Sequence, residues 1–133
     1  MKERDAEGTM QTKTILIIED DKMNMKLVRA LLTLGKHDML EAENAEIGIQ
    51  MAREHCPDLI LMDIQLPGLD GLSATRAIKK ETGIGDIPIV ALTSYAMVGD
   101  KEKALEAGCD GYLTKPIDTR CFLDAIARYL DAQ

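Results

Sequence analysis

Three short apolar runs constrain this chain more than anything else in it: Ile15–Ile18, Leu59–Met62 and Ile89–Leu92. A strand that buries one face alternates apolar with polar residues, whereas an unbroken apolar run needs cover on both faces. A parallel sheet supplies that cover, because each crossover lays a helix against it. Two weaker strands fall around Asp38–Glu41 and Gly111–Leu113. Helical stripes lie between the runs: Leu27, Val28, Leu31 and Leu34 form one, and Phe122, Ala125, Ile126, Tyr129 and Leu130 another. Asn44 is placed to cap a helix running to about His55, and Asp70 one reaching about Glu81. Asp100 lies near the start of a fourth helix that should end before Gly108, and Asp118 is placed to cap the last. The pattern reads as (βα)₅, a doubly wound α/β sheet with helices on both faces. A chain of 133 residues suffices for one such core. Residues 1–13 read as a solvated tail and 14–131 as the domain.

The formal charge of −7 and the lack of a Lys/Arg cluster argue against a nucleic-acid partner. No apolar run approaches the length of a membrane span, and residues 1–13 lack the apolar stretch of a signal peptide. Three cysteines at unrelated spacings suit reduced thiols in a cytoplasmic protein. His37 reads as a surface residue, His55 as a helix end and the methionines as core gap fillers.

In open α/β sheets, ligands bind beyond the C-terminal ends of the strands. The first strand delivers Glu19 and Asp20 there, the third Asp63, the fourth Thr93 and Ser94, and the fifth Lys115 before Pro116. Asp21 reads as the cap of the first helix. Three carboxylates crowded together repel one another unless a hard cation shares them, and Mg²⁺ takes such oxygen ligands together with waters and phosphate oxygens. Lys115 can offset part of the repulsion and grip a phosphoryl oxygen. A carboxylate nucleophile, a metal and a cationic clamp are the parts of a phosphoryl-transfer site.

With "IIEDD", "LILMDIQLPGLDG", "ALTS" and "GYLTKP" each ending the expected strand, the chain resembles the receiver domains of two-component response regulators from about Thr14 to Leu130. The resemblance implies a flavodoxin-like sheet of order 2-1-3-4-5. It implies that Asp63 takes a phosphoryl group from a histidine kinase or histidine phosphotransfer protein. Asp20 would bind Mg²⁺ (Mn²⁺ being the alternative), Glu19 would help directly or through water, and the backbone carbonyl of Gln65 would add a ligand. Thr93 and Lys115 would hold the phosphoryl group, and Lys115–Pro116 would be a cis peptide. Tyr112 stands at the family's switch aromatic, so movement of Thr93 and Tyr112 would remodel the face of helix four, strand five and helix five for a protein effector or a homodimer. Met23, Asn24, Lys26 and Pro116 are the expected donor contacts. Gln65 and Tyr95 border the path of the hydrolytic water, and a tyrosine there implies slow loss of phosphate. On this reading the chain is a phosphoacceptor rather than an enzyme.

Other readings fit less well. A haloacid-dehalogenase hydrolase needs a general-acid aspartate where Gln65 stands. An electron carrier of the flavodoxin kind needs a Ser/Thr-rich phosphate loop where "EDDKMN" stands, and a Rossmann domain needs a glycine fingerprint. Within the receiver reading, the segments resemble both stand-alone regulators and the receivers of hybrid kinases, and a stand-alone regulator is favoured.

Overall fold

The structure, a computed structural model, describes residues 13–66, 68–93 and 100–131. Five strands alternate with five helices: β1 Thr14–Ile18, α1 Lys22–Leu34, β2 Asp38–Ala42, α2 Ala45–His55, β3 Leu59–Asp63, α3 Gly71–Lys79, β4 Ile89–Thr93, α4 Asp100–Ala107, β5 Gly111–Thr114 and α5 Phe122–Asp131. All strand pairs are parallel, and the order is β2-β1-β3-β4-β5. The expected doubly wound receiver architecture is therefore the one observed.

The pleat explains why the apolar runs do not alternate. Leu16, Ile18, Ile60, Met62, Ile89 and Ala91 pack on one face against Ala45, Ile49 and Ala52 of α2, Ala74 and Ile78 of α3, and Ala104 of α4. Their neighbours Ile15, Ile17, Leu59, Leu61, Val90 and Leu92 pack on the other against Met25, Val28, Leu31 and Leu32 of α1 and Phe122, Ile126 and Leu130 of α5. Successive side chains point to opposite faces, and both faces are covered, so both must be apolar.

Side-chain caps fix the helix starts. Asp21 accepts from the Met23 N–H at 2.9 Å, Asn44 from Ile47 at 2.8 Å and Asp70 from Ser73 at 2.9 Å, each satisfying an orphan donor of a first turn. Four local expectations need correction. The buried stripe of α1 is Met25, Val28, Leu31 and Leu32, while Leu34 is 72% exposed at the last turn. The third helix stops at Lys79 rather than near Glu81. Asp118 accepts from the Arg120 N–H at 3.0 Å and so caps a turn that precedes α5. His37 is half-buried with its Nδ1 enclosed, and that burial lowers its pKa. Among the described residues no helix is long and apolar enough to cross a membrane.

Candidate functional site

The site stands where β1, β3, β4 and β5 end. The Glu19 N–H donates to the Ala42 carbonyl at 3.0 Å, which carries the β1–β2 ladder one residue past β1. Ile64 does the same from β3, donating to Leu92 O at 3.0 Å, and Lys115 from β5, donating to Thr93 O at 2.7 Å. Backbone pairing thus extends up to the functional side chains, so they stand on rigid supports rather than on loose loops.

Glu19, Asp63 and Thr93 are all buried, and Asp20 is exposed. One ammonium serves two buried carboxylates, since Lys115 Nζ lies 2.9 Å from Glu19 Oε1 and 3.3 Å from Asp63 Oδ2. The Asp63 Oδ1 atom accepts from the Gln65 N–H at 3.0 Å, and Glu19 Oε2 accepts from the Asp21 N–H at 3.1 Å. Glu19 Oε1 is enclosed and meets Lys115 at ion-pair distance without the alignment of a hydrogen bond, so it keeps acceptor capacity in hand. Burial pushes the Glu19 carboxyl up to about 7; the Lys115 ammonium opposes the shift and the nearby Asp63 reinforces it. Burial also works against the charge on Lys115, but Glu19 and Asp63 outweigh it and hold the ammonium above its ordinary pKa.

Oxygens of Glu19, Asp20 and Asp63 lie within 4.8 Å of one another. Three hard oxygen donors, one of them buried with spare acceptor capacity, fit a divalent cation such as Mg²⁺. The Gln65 side chain is exposed beside them. The Lys115–Pro116 peptide is cis. Tyr112 lies inside β5 opposite Ala91, its ring half-buried against the face that α2, α3 and α4 cover, rather than at the strand end. Ser94 and Tyr95 lie outside the described residues.

One cleft opens on the acidic cluster, and a second lies against α5. One, of about 560 Å³, runs between α1 and β2 and is lined by Met23, Lys26, Arg29 and Glu41 as well as Glu19 and Asp20. Met23, 72% exposed, offers an apolar contact at its lip, whereas Asn24 is engaged with Asp21 Oδ2 at 3.0 Å. The other cleft, of about 210 Å³, takes in Pro116, Ile117 and Phe122. Of the expected donor contacts, Met23 and Lys26 line the first cleft together with Glu19 and Asp20, and Pro116 lines the second. The sequence reading did not find the deep burial of Glu19 and its direct pairing with Lys115; the available signal was that Glu19 follows the apolar run without a break.

The model of the response regulator receiver domain matches residues 15–127, so the chain belongs to that family of two-component signalling domains. It is similar to the polar-differentiation response regulator DivK of Brucella ovis, with 41% identity over 119 residues, 90% of this chain and 97% of the relative. Among solved structures, it resembles the receiver domain of a sensor histidine kinase from Pseudomonas aeruginosa that has a magnesium ion coordinated in its active-site cleft (33% identity, TM-score 0.84, 91% of this chain and 99% of that one). It also resembles the receiver domain of Saccharomyces cerevisiae Ssk1 in complex with the histidine phosphotransfer protein Ypd1 (31% identity, TM-score 0.83, 92% of this chain and 91% of that one).

Proposed function

We propose that Asp63 accepts a phosphoryl group from a phosphohistidine on a kinase or phosphotransfer protein, and that the chain works as a stand-alone cytoplasmic regulator. The observation that carries this reading is one buried carboxylate, Asp63, held 3.3 Å from the Lys115 ammonium and clustered with Glu19 and Asp20. An Asp63 oxygen attacks phosphorus in line, the phosphorus–nitrogen bond of the donor breaks, and the imidazole nitrogen leaves with the electron pair. The transfer needs little covalent work from the protein beyond position and charge. Lys115 is close enough to pair with the incoming phosphoryl oxygens. Asp20, Glu19, Asp63 and the Gln65 carbonyl would hold Mg²⁺, which when bound supplies positive charge to those oxygens.

Thr93 and Tyr112 then serve as the switch, and the α4–β5–α5 face as the output for a protein effector or a second copy. A phosphoryl group shifts that equilibrium only by its differential interaction with the two states. The 41% identity to a DivK response regulator, against 33% to the receiver of a sensor histidine kinase, supports the stand-alone reading. Gln65, two residues beyond the phosphoacceptor, would border the path of the hydrolytic water.

The test is the intact mass after incubation with acetyl phosphate, with and without Mg²⁺, for wild type and Asp63→Asn. A gain of one phosphoryl group that needs both Mg²⁺ and Asp63 is expected. A gain that persists in Asp63→Asn, or none in folded wild type, overturns the proposal.

A further inference from the structure

Gly71 opens α3 directly after its cap, a place where many residues would serve the helix better. Its surroundings explain the glycine. A methyl group on Gly71 would overlap the Asp63 carbonyl oxygen and lie 2.7 Å from Ile64 Cα and 3.0 Å from the Asp63 carbonyl carbon. All three atoms are backbone, so no side chain can swing aside to make room. The Gly71 N–H also donates to Ile64 O at 3.1 Å. On its other side the same segment is tied to β4 through the Ile64 N–H and Leu92 O. The Asp63–Ile64 peptide is therefore gripped between β4 and the first turn of α3. Thr75, itself buried, fastens that turn by donating its Oγ1–H to Gly71 O at 2.8 Å.

We infer that Gly71 is a positioning residue for the phosphoacceptor: its bare Cα lets α3 set the tilt of the peptide that joins Asp63, in the acidic cluster, to the segment carrying the Gln65 carbonyl. This inference rests on the proposed function above, because it concerns the geometry that Mg²⁺ binding and phosphoryl uptake would use. A displacement of about 1 Å at a reacting group is enough to cost about 100-fold in rate.

The experiment compares the full chain as wild type, Gly71→Ala and Gly85→Ala. Gly85 is a matched control: a methyl there would lie 2.7 Å from Lys79 O and 3.0 Å from Glu81 O, also backbone, but before β4 and at the opposite end of the sheet. Mg²⁺ affinity is measured by titration calorimetry, phosphoryl uptake by mass and stability by urea unfolding. Both variants should be less stable, but Gly71→Ala alone should lose about 10- to 100-fold in Mg²⁺ affinity and uptake rate. Gly85→Ala should stay within about twofold of wild type. Wild-type affinity in Gly71→Ala, or equal losses in both variants, overturns the inference alone; a folded wild type that binds no Mg²⁺ removes it together with the proposed function. Should Gly71→Ala fail to fold, Thr75→Val, which frees the same turn, is expected to lose about twofold or more in affinity, and an unchanged value overturns the inference.

Discussion

At the N-terminal edge of the sheet Asp58 and Asp110 have matched donors, whereas at the C-terminal edge three carboxylates cluster and one lysine pairs with two of them. Asp58 Oδ2 accepts from the Thr14 N–H at 2.8 Å, and Asp110 Oδ2 accepts from the Ile89 N–H at 2.8 Å and from Lys79 Nζ at 2.9 Å. Lys79 also donates to Ile87 O at 2.9 Å. These contacts pin the starts of β1 and β4, and Asp110 has Lys79 as its counter-ion. The other edge clusters Glu19, Asp20 and Asp63, with Lys115 paired to Glu19 and Asp63 and the Glu19 carboxyl raised to about 7 by its burial. A surplus of like charge that folding does not neutralise is a sign of a site kept for a ligand. Ionic contacts at the two edges look alike pair by pair, and the clustering of three carboxylates at the C-terminal edge sets it apart.

The contrast breaks most sharply at Lys115. Lys115→Met leaves two buried carboxylates without their cation, and should cost about 3–5 kcal/mol in metal-free buffer at pH 8 by urea unfolding. The loss should shrink at pH 6, where Glu19 takes up a proton, and Mg²⁺ should restore part of it. An equal loss at both pH values without recovery in Mg²⁺ would refute the picture of a charge surplus.

Glu19→Gln comes next, read as a pH slope. The folded carboxyl titrates near 7 and the unfolded one near 4.5, so between these values the folded state binds more protons. Wild-type stability should therefore fall as pH rises from 4.5 through 7, by at most about 2–3 kcal/mol, and the glutamine variant should lack that slope. His37 works in the opposite sense, because its lowered pKa makes stability fall as pH drops below 6.5. That contribution cancels in the difference between wild type and variant. Identical slopes in the two proteins would show that Glu19 is not the titrating group.

The smallest effect belongs to the structural edge. Lys79→Met should cost about 1 kcal/mol, since Asp110 is 44% exposed and solvent screens the pair. Phosphoryl uptake should not change. A variant that remained well folded yet took up phosphate much more slowly would tie the two edges together and erase the distinction between them.

Much of this was legible in the chain itself. The three apolar runs announce buried parallel strands, and the residues that end them are Glu19, Asp63 and Thr93, because a change from apolar to polar is visible along the sequence. The caps at Asp21, Asn44 and Asp70 are equally local. Register on the surface was harder to read. Leu34 continues the helical spacing of α1, but the chain turns away at Gly35, so the core ends before it. His37 looks like any polar loop residue, yet its ring is half-buried beside Gly35, a spot that Leu123 of α5, far along the chain, also borders.

By itself the sequence determined which residues reach the C-terminal edge and in what order, since strand periodicity and helix caps depend on neighbours a few positions away. Only the tertiary structure decided how those residues share their charges. Glu19 and Asp20 are adjacent acids just beyond β1, but Glu19 is still tied to the end of β2 through its N–H and the Ala42 carbonyl, whereas Asp20 lies past that ladder. Glu19 is consequently buried against Lys115, 96 positions later (115 − 19), while Asp20 faces solvent. The same holds for Gly71, whose missing side chain has a reason only because the Asp63 backbone comes to rest against it.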